Sequence, residues 1–294
     1  MKKSGMIAII GRPNVGKSTL LNALVGEKVA IVTNKPQTTR HRICGVVTRG
    51  EIQLVFIDTP GFHKPRNALG RFMVDVVRSS AADVDGIILV VNPDPIVGTQ
   101  EQLLLGRVGD TACVLAINKI DTVSKDRLLA VIMAYTQAFG REFAAVVPIS
   151  AKNAEGLETL VSEVLPLATE GEYLFPDDMN SDQPDKVLIA EIVREKALGL
   201  LDREVPHGLA VVIERLHQRD DGLVEIDATL FCEKDSHKGI ILGKKGAMIG
   251  KIGSLAREEL EEFYGEKVML RLWVKVKENW RDNQAGLRNF GYGE

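Results

Sequence analysis

The sequence predicts two unlike domains in tandem: an α/β domain whose mainly parallel sheet carries helices on both faces, then a smaller α+β domain. Three observations predict this. Short apolar runs alternate with helical stretches through residues 1–168. An acidic segment with two prolines and no sustained period, residues 169–185, reads as a linker. Beyond it, over 186–294, strands are joined by an Asp-Gly hairpin signal instead of by helices.

In the first domain, Met6 to Ile10 is a short apolar run that reads as a buried strand, and a helix opens at Ser18. Further strands are read around Arg42 to Thr48, then at Leu54 to Ile57, Gly86 to Val91, Ala112 to Ile117 and Ala145 to Ile149. Helical spacing falls around 67–80, 99–108, 126–139 and 156–165. The linker is expected to be a solvated spacer, with an autoinhibitory tether as the alternative.

In the second domain a helix is read from Lys186 to Leu201. Strands at Leu209 to Leu216 and Leu223 to Cys232 flank Arg219-Asp220-Asp221-Gly222. Along the second strand Val224, Ile226, Ala228, Leu230 and Cys232 share one face. A helical piece at 236–242, the loop Gly243-Lys244-Lys245-Gly246, a helix from Ala247 to Phe263 and an alternating strand from Val268 to Val276 complete the order.

Composition excludes several classes. Net charge is −3 and apolar content ordinary at 45%, so neither disorder nor a polycationic tail is implied. No run reaches the ~20 apolar residues of a membrane span, and no secretory apolar region follows Met1-Lys2-Lys3. Cys44, Cys113 and Cys232 are too scattered for a disulfide framework or metal site and read as small core hydrophobes. The expectation is a cytosolic protein, monomeric because no heptads are present.

The chemistry begins at Gly11-Arg12-Pro13-Asn14-Val15-Gly16-Lys17-Ser18, the P-loop pattern, between a strand and a helix. There, unpaired backbone N–H groups and the helix dipole meet phosphate. Asn118-Lys119-Ile120-Asp121 follows a strand. The Asp121 carboxylate can accept from the ring N–H and exocyclic amine of guanine; against adenine a buried Asp121 would stay unpaired. Asp58-Thr59-Pro60-Gly61 also follows a strand, and Gln37-Thr38-Thr39-Arg40 precedes one.

With Ser150-Ala151-Lys152, these motifs resemble the Era-related, translation-factor-like P-loop GTPases. The resemblance implies that Asn14, Val15, Gly16, Lys17, Ser18, Thr19, Asp58, Gly61, Asn118, Lys119, Asp121, Ser150, Ala151 and Lys152 form the GTP site. Ser18, Thr39 and, through a water, Asp58 would hold Mg²⁺, with Thr38 the alternative to Thr39. The Gly61 N–H would sense the γ-phosphate, and Lys17, Thr39 and Gly61 would serve hydrolysis. Phe62 stands where signalling GTPases carry a water-orienting glutamine. It reads as a packing residue, and His63 and Arg66 as exposed polar residues of the second switch. Asn14 resembles the asparagine that ligates K⁺ in potassium-stimulated relatives; a loop hydrogen bond is the alternative.

The element order around Gly243-Lys244-Lys245-Gly246 resembles the type II KH fold, whose GxxG loop clamps single-stranded RNA. Gly243, Lys244, Lys245, Gly246 and Lys251 would form the RNA site, the two loop lysines meeting phosphates, with Lys238, Lys251 and Arg257 adding to the basic surface. Trp273, on the strand face of Arg271, Lys275 and Lys277, either stacks a base or covers a neighbouring element. The full-length resemblance implies a GTP-hydrolysing ribosome-assembly factor. Its KH domain would bind near the 3′ end of small-subunit rRNA, with peripheral membrane association as a further implication. The alternative reading is an RNA chaperone or scaffold in which GTP is a structural or regulatory ligand. A membrane-cycling signalling switch is a third, against which the KH resemblance argues.

Overall fold

The computed structural model describes the chain except residues 36–37, 62–66, 81–83, 107, 141, 203–204 and 293–294 and the side chain of Arg78. Gln37, Phe62, His63 and Arg66 therefore lie outside the described residues. Two compact units result. The first comprises Met1–Ala30, Thr39–Pro65 and Met73–Asp182; the second comprises Ile31–Thr38, Arg66–Phe72 and Gln183–Glu294.

The sheet of the first unit contains β1 (Lys3–Gly11), β2 (Ile43–Arg49), β3 (Ile52–Asp58), β4 (Gly86–Val91), β5 (Cys113–Ile117) and β6 (Ala145–Pro148). Its order is β2-β3-β1-β4-β5-β6, parallel except for β2 against β3. Period-two alternation sorts the side chains. Ile7, Ile9, Ile88 and Val90 face the layer of α1 (Lys17–Val25) and α5 (Leu157–Val164). Ala8, Ile10, Ile87 and Leu89 face α2 (Ala68–Ser80), α3 (Thr99–Leu105) and α4 (Lys125–Phe139). The order reverses around β1, so the crevice at its C-terminal end is where an open α/β sheet takes a ligand.

The stretch 169–185 departs from the spacer expectation. β7 (Thr169–Glu170) pairs antiparallel with Lys3 and Ser4 of β1. The Gln53 side chain accepts from the Leu174 and Phe175 N–H groups and donates to the Phe175 carbonyl. The Asn180 carbonyl accepts from the Val46 N–H, and the Asp182 carboxylate from the Cys44 N–H. A segment poor in apolar residues is thus fastened by backbone hydrogen bonds, which leave no periodicity to read. Cys44, Cys113 and Cys232 are free and buried, and burial with the Asp182 carboxylate pushes the Cys44 thiol up to about 12, leaving it protonated and inert.

In the second unit, α6 (Asp185–Leu200), α7 (Asp235–Leu242) and α8 (Ala247–Tyr264) accompany a sheet ordered β10-β9-β8. Here β8 is Ala210–Gln218, β9 is Val224–Cys232 and β10 is Val268–Val276. β8 and β9 form the antiparallel hairpin and β10 joins β9 in parallel. The expected inward face of β9 is wholly buried, packed among α6, α7 and α8. One element was not foreseen. After β10 the chain forms α9 (Gln284–Asn289), and the fully buried Trp280 donates its Nε1–H to the Gly208 carbonyl and stacks on Tyr292.

Candidate nucleotide site and nucleic-acid groove

β1 ends at Gly11, and the loop that follows turns through two left-handed residues, Asn14 (φ 62) and Gly16 (φ 99), before α1. Gly16 is required twice: its φ disfavours a side chain, and a Cβ there would strike the Asn118 amide. Among the described residues no side chain caps α1, so its first-turn N–H groups remain for an anion. Lys17 is buried and donates its Nζ–H to the Arg12 carbonyl at 3.0 Å. Burial draws its pKa down and the Asp58 carboxylate opposes that. Thr19 continues the same helical turn, and Val15 is buried in the core beneath the loop.

Three oxygens converge beside Lys17. Ser18 Oγ donates to Asp58 Oδ2 at 2.7 Å and lies 2.8 Å from Thr39 Oγ1, which is itself 3.3 Å from Asp58 Oδ2. The other carboxylate oxygen, Asp58 Oδ1, is buried without a hydrogen-bond partner among the described residues. Burial raises the Asp58 pKa, opposed chiefly by Lys17. A carboxylate and two hydroxyls form a hard, all-oxygen set with an orphaned acceptor, and this set fits Mg²⁺. Thr38 is turned elsewhere: its Oγ1 donates to the Lys35 carbonyl at 2.6 Å. Gly61 abuts the P-loop so closely that a Cβ there would lie 2.7 Å from Pro13 Cα.

The third wall ties distant segments to the loop. Asn118 Nδ2 donates to the Val15 carbonyl at 2.8 Å, while its Oδ1 accepts from the N–H groups of Lys119 and Ala151. Lys119 Nζ donates to the Asn14 carbonyl at 2.7 Å, and Ser150 Oγ to Asp121 Oδ1 at 2.6 Å. Asp121 and Lys152 are exposed. Asp121 is thus not buried as the expected base discrimination would require. Sequence reasoning missed Glu101, a buried carboxylate on α3 that pairs with Arg12 of the P-loop. Its signal was an acid within an otherwise apolar helical face.

On the second unit Gly243 (φ 69), Lys245 (φ 52) and Gly246 (φ 81) turn the chain into α8. A Cβ at Gly243 would lie 2.7 Å from Met248 Cβ, so only glycine fits. Lys244, Lys245 and Lys251 are exposed. A groove of about 300 Å³ begins at Gly246 and runs along Ile249, Gly250, Gly253, Ser254 and Arg257 of α8, with Leu270 and Leu272 of β10 opposite. Lys251 is not among the lining residues, since one helical step turns it off the Gly250 face. Ser254 and the glycines after Gly246 were not foreseen as site residues, although their i, i+4, i+7 spacing is legible. Trp273 is 44% exposed, and Arg271 beside it is held by Asp227.

Fold and sites together define a P-loop GTPase that carries a KH domain. A family described as "50S ribosome-binding GTPase" matches residues 6–119, and the KH domain family matches residues 204–281. GTPase Era of Ruminiclostridium cellulolyticum is 48% identical over 99% of this chain and 97% of its own. GTPase Era of Clostridium kluyveri is also 48% identical, over 99% of this chain and all of its own. A crystal structure of Era with MgGDPNP and nucleotides 1506–1542 of 16S ribosomal RNA superposes over 100% of both chains with a TM-score of 0.95 at 38% identity. An Aquifex aeolicus Era variant bound to GDP and AlF4⁻ gives 0.94 at 38% identity over 99% of this chain and 100% of its own. The chain belongs to the Era family and is a GTPase.

Proposed function

We propose that this chain is an assembly factor of the small ribosomal subunit that hydrolyses GTP to time its hold on RNA. The observation that carries the reading is a pairing within one chain: a three-oxygen cation cluster beside an uncapped helix start, and a glycine-lined groove beside two exposed lysines. The α1 N-terminus and Lys17 bind the phosphates, and Asp121 accepts from guanine with Asn118, Lys119, Ser150, Ala151 and Lys152 around the base. Ser18, Thr39 and Asp58 hold Mg²⁺, which supplies charge stabilisation when bound. Thr39 and the Gly61 N–H close on the γ-phosphate, and after water attacks, both lose what held them.

In the groove, Gly246, Gly250 and Gly253 admit an RNA backbone close to α8, while Lys244 and Lys245 meet phosphates at its entrance. The subunit follows from the relative with 16S nucleotides, which matches this chain over both domains. The 50S description attaches only to a family covering residues 6–119, without the KH part. RNA crosslinking in cells tests the assignment. A sharp peak near the 3′ end of small-subunit rRNA, lost in Lys244→Asp plus Lys245→Asp, is expected. A diffuse signal indifferent to that change would overturn it.

Asn14, in its left-handed turn, is proposed to ligate K⁺ against the phosphates; equal turnover in K⁺ and Na⁺ buffers would refute this. A cytosolic monomer remains part of the proposal. No described helix is long and apolar enough to cross a membrane. Peripheral membrane association rests on the family resemblance alone.

A further inference from the structure

The loop that leads into Thr39 is held by α6. Within the second unit, the fully buried Arg194 donates from Nη2 to the Thr38 carbonyl, and its guanidinium is braced by Glu191, whose Oε1 lies 2.7 Å from Nε. The neighbouring carboxylate, Glu195, accepts from the Val32 N–H at 2.7 Å. Lys35 Nζ reaches Asp202 at 2.6 Å. Val32, Lys35 and Thr38 are thereby each tied to the second unit's own side chains. The last of these bonds falls on the residue whose peptide bond leads to Thr39, the threonine that closes the oxygen cluster with Ser18 and Asp58.

We infer that Arg194 is a positioning residue for hydrolysis: by holding the Thr38 carbonyl, it sets the place of the Thr39 hydroxyl in the Mg²⁺ site. A bond from a charged donor to a carbonyl, desolvated on both sides, is strong enough to choose between two loop positions. Arg194 Nη1 is buried without a hydrogen-bond partner among the described residues, a cost that a merely packing side chain would not need to bear. The inference rests on the reading of Thr39 as a Mg²⁺ ligand.

The test uses the full chain and two readouts: binding of a fluorescent non-hydrolysable GTP analogue as Mg²⁺ is titrated, and binding of fluorescent GDP. Thr39 engages only when the γ-phosphate is present, so the two nucleotides should part company. Arg194→Gln is expected to raise the Mg²⁺ needed for half-maximal analogue binding by about tenfold, with GDP binding unchanged. Arg194→Lys, which keeps a charged donor but loses the fork, should recover part of the loss. Glu195→Ala leaves Arg194 in place and frees the Val32 end; it should shift analogue binding in the same direction by less, and it decides the matter if Arg194→Gln fails to fold.

Thr39→Ala separates the two levels of the argument. If Thr39→Ala shifts the Mg²⁺ requirement while the Arg194 and Glu195 variants match the native chain, the positioning role is overturned and the site reading stands. If Thr39→Ala itself changes nothing, the ligand reading falls and takes the inference with it. Equal loss of analogue and GDP binding in the Arg194 and Glu195 variants would also overturn the role, because it would mark a general structural defect.

Discussion

The nucleotide site and the groove of the second unit bind by opposite means. In the first, residues far apart in the chain are already bonded to one another: Asn118 with Val15 and Ala151, Lys119 with Asn14, Ser150 with Asp121, Ser18 with Asp58. In the second, the lining is glycine and aliphatic carbon with one serine and one arginine, and the lysines stand exposed beside it. A site that stabilises charge as it develops must fix its dipoles beforehand. A site that grips a flexible single strand needs only an open wall and a diffuse field.

That contrast can be broken most severely at Asp121. Asp121→Ala should collapse the preference for GTP over ATP by about ten-thousand-fold, the discrimination expected where a hydrogen-bonding site loses its acceptor. Competition binding of the two nucleotides measures it; a retained preference would place base selection elsewhere. Lys17→Ala comes next, with GTP turnover falling by about 10²–10³-fold in a steady-state phosphate-release assay while RNA affinity in the absence of nucleotide stays at the native value.

The groove should respond more softly. Lys244→Asp with Lys245→Asp is expected to weaken RNA binding by about tenfold or more and to flatten the salt dependence by about two units of slope, uniformly across RNA sequences. Filter binding over a salt series reads both. Unchanged slope would mean the two lysines do not touch phosphate. The smallest effect sharpens the comparison most. A Cβ at Gly250 meets nothing within 4 Å, so Gly250→Ala should stabilise α8 by about 0.5–1 kcal/mol in thermal unfolding and yet cost a few-fold in RNA affinity. A gain in both would show that the RNA does not approach this face.

The same contrast explains what could be read in the sequence. The strands, helices and nucleotide motifs were legible because buried strands leave apolar runs and fixed charge geometry leaves short motifs at strand ends. Thr39, not Thr38, lies beside Ser18. The groove's lining was only half legible: GKKG announces the loop, but Gly250, Gly253 and Ser254 are ordinary helix residues until β10 is set opposite them. Residues 169–182 could not be read at all. Their bonds to β1, β2 and Gln53 each use a backbone atom on at least one side, which every sequence shares. The Glu101–Arg12 pair escaped for a related reason, since a contact between a loop and a remote helix has no period.

Trp280 has a consequence for the order in which the molecule matures. Its indole is sealed in the second unit, bonded to Gly208 and stacked against Tyr292 near the very end of the chain. During synthesis the first unit's strands and helices can assemble as soon as residue 182 has emerged. The second must wait until Tyr292 has also emerged, because Trp280 packs against that ring. A newborn chain thus acquires the sheet that carries its nucleotide loop before the groove of its second unit.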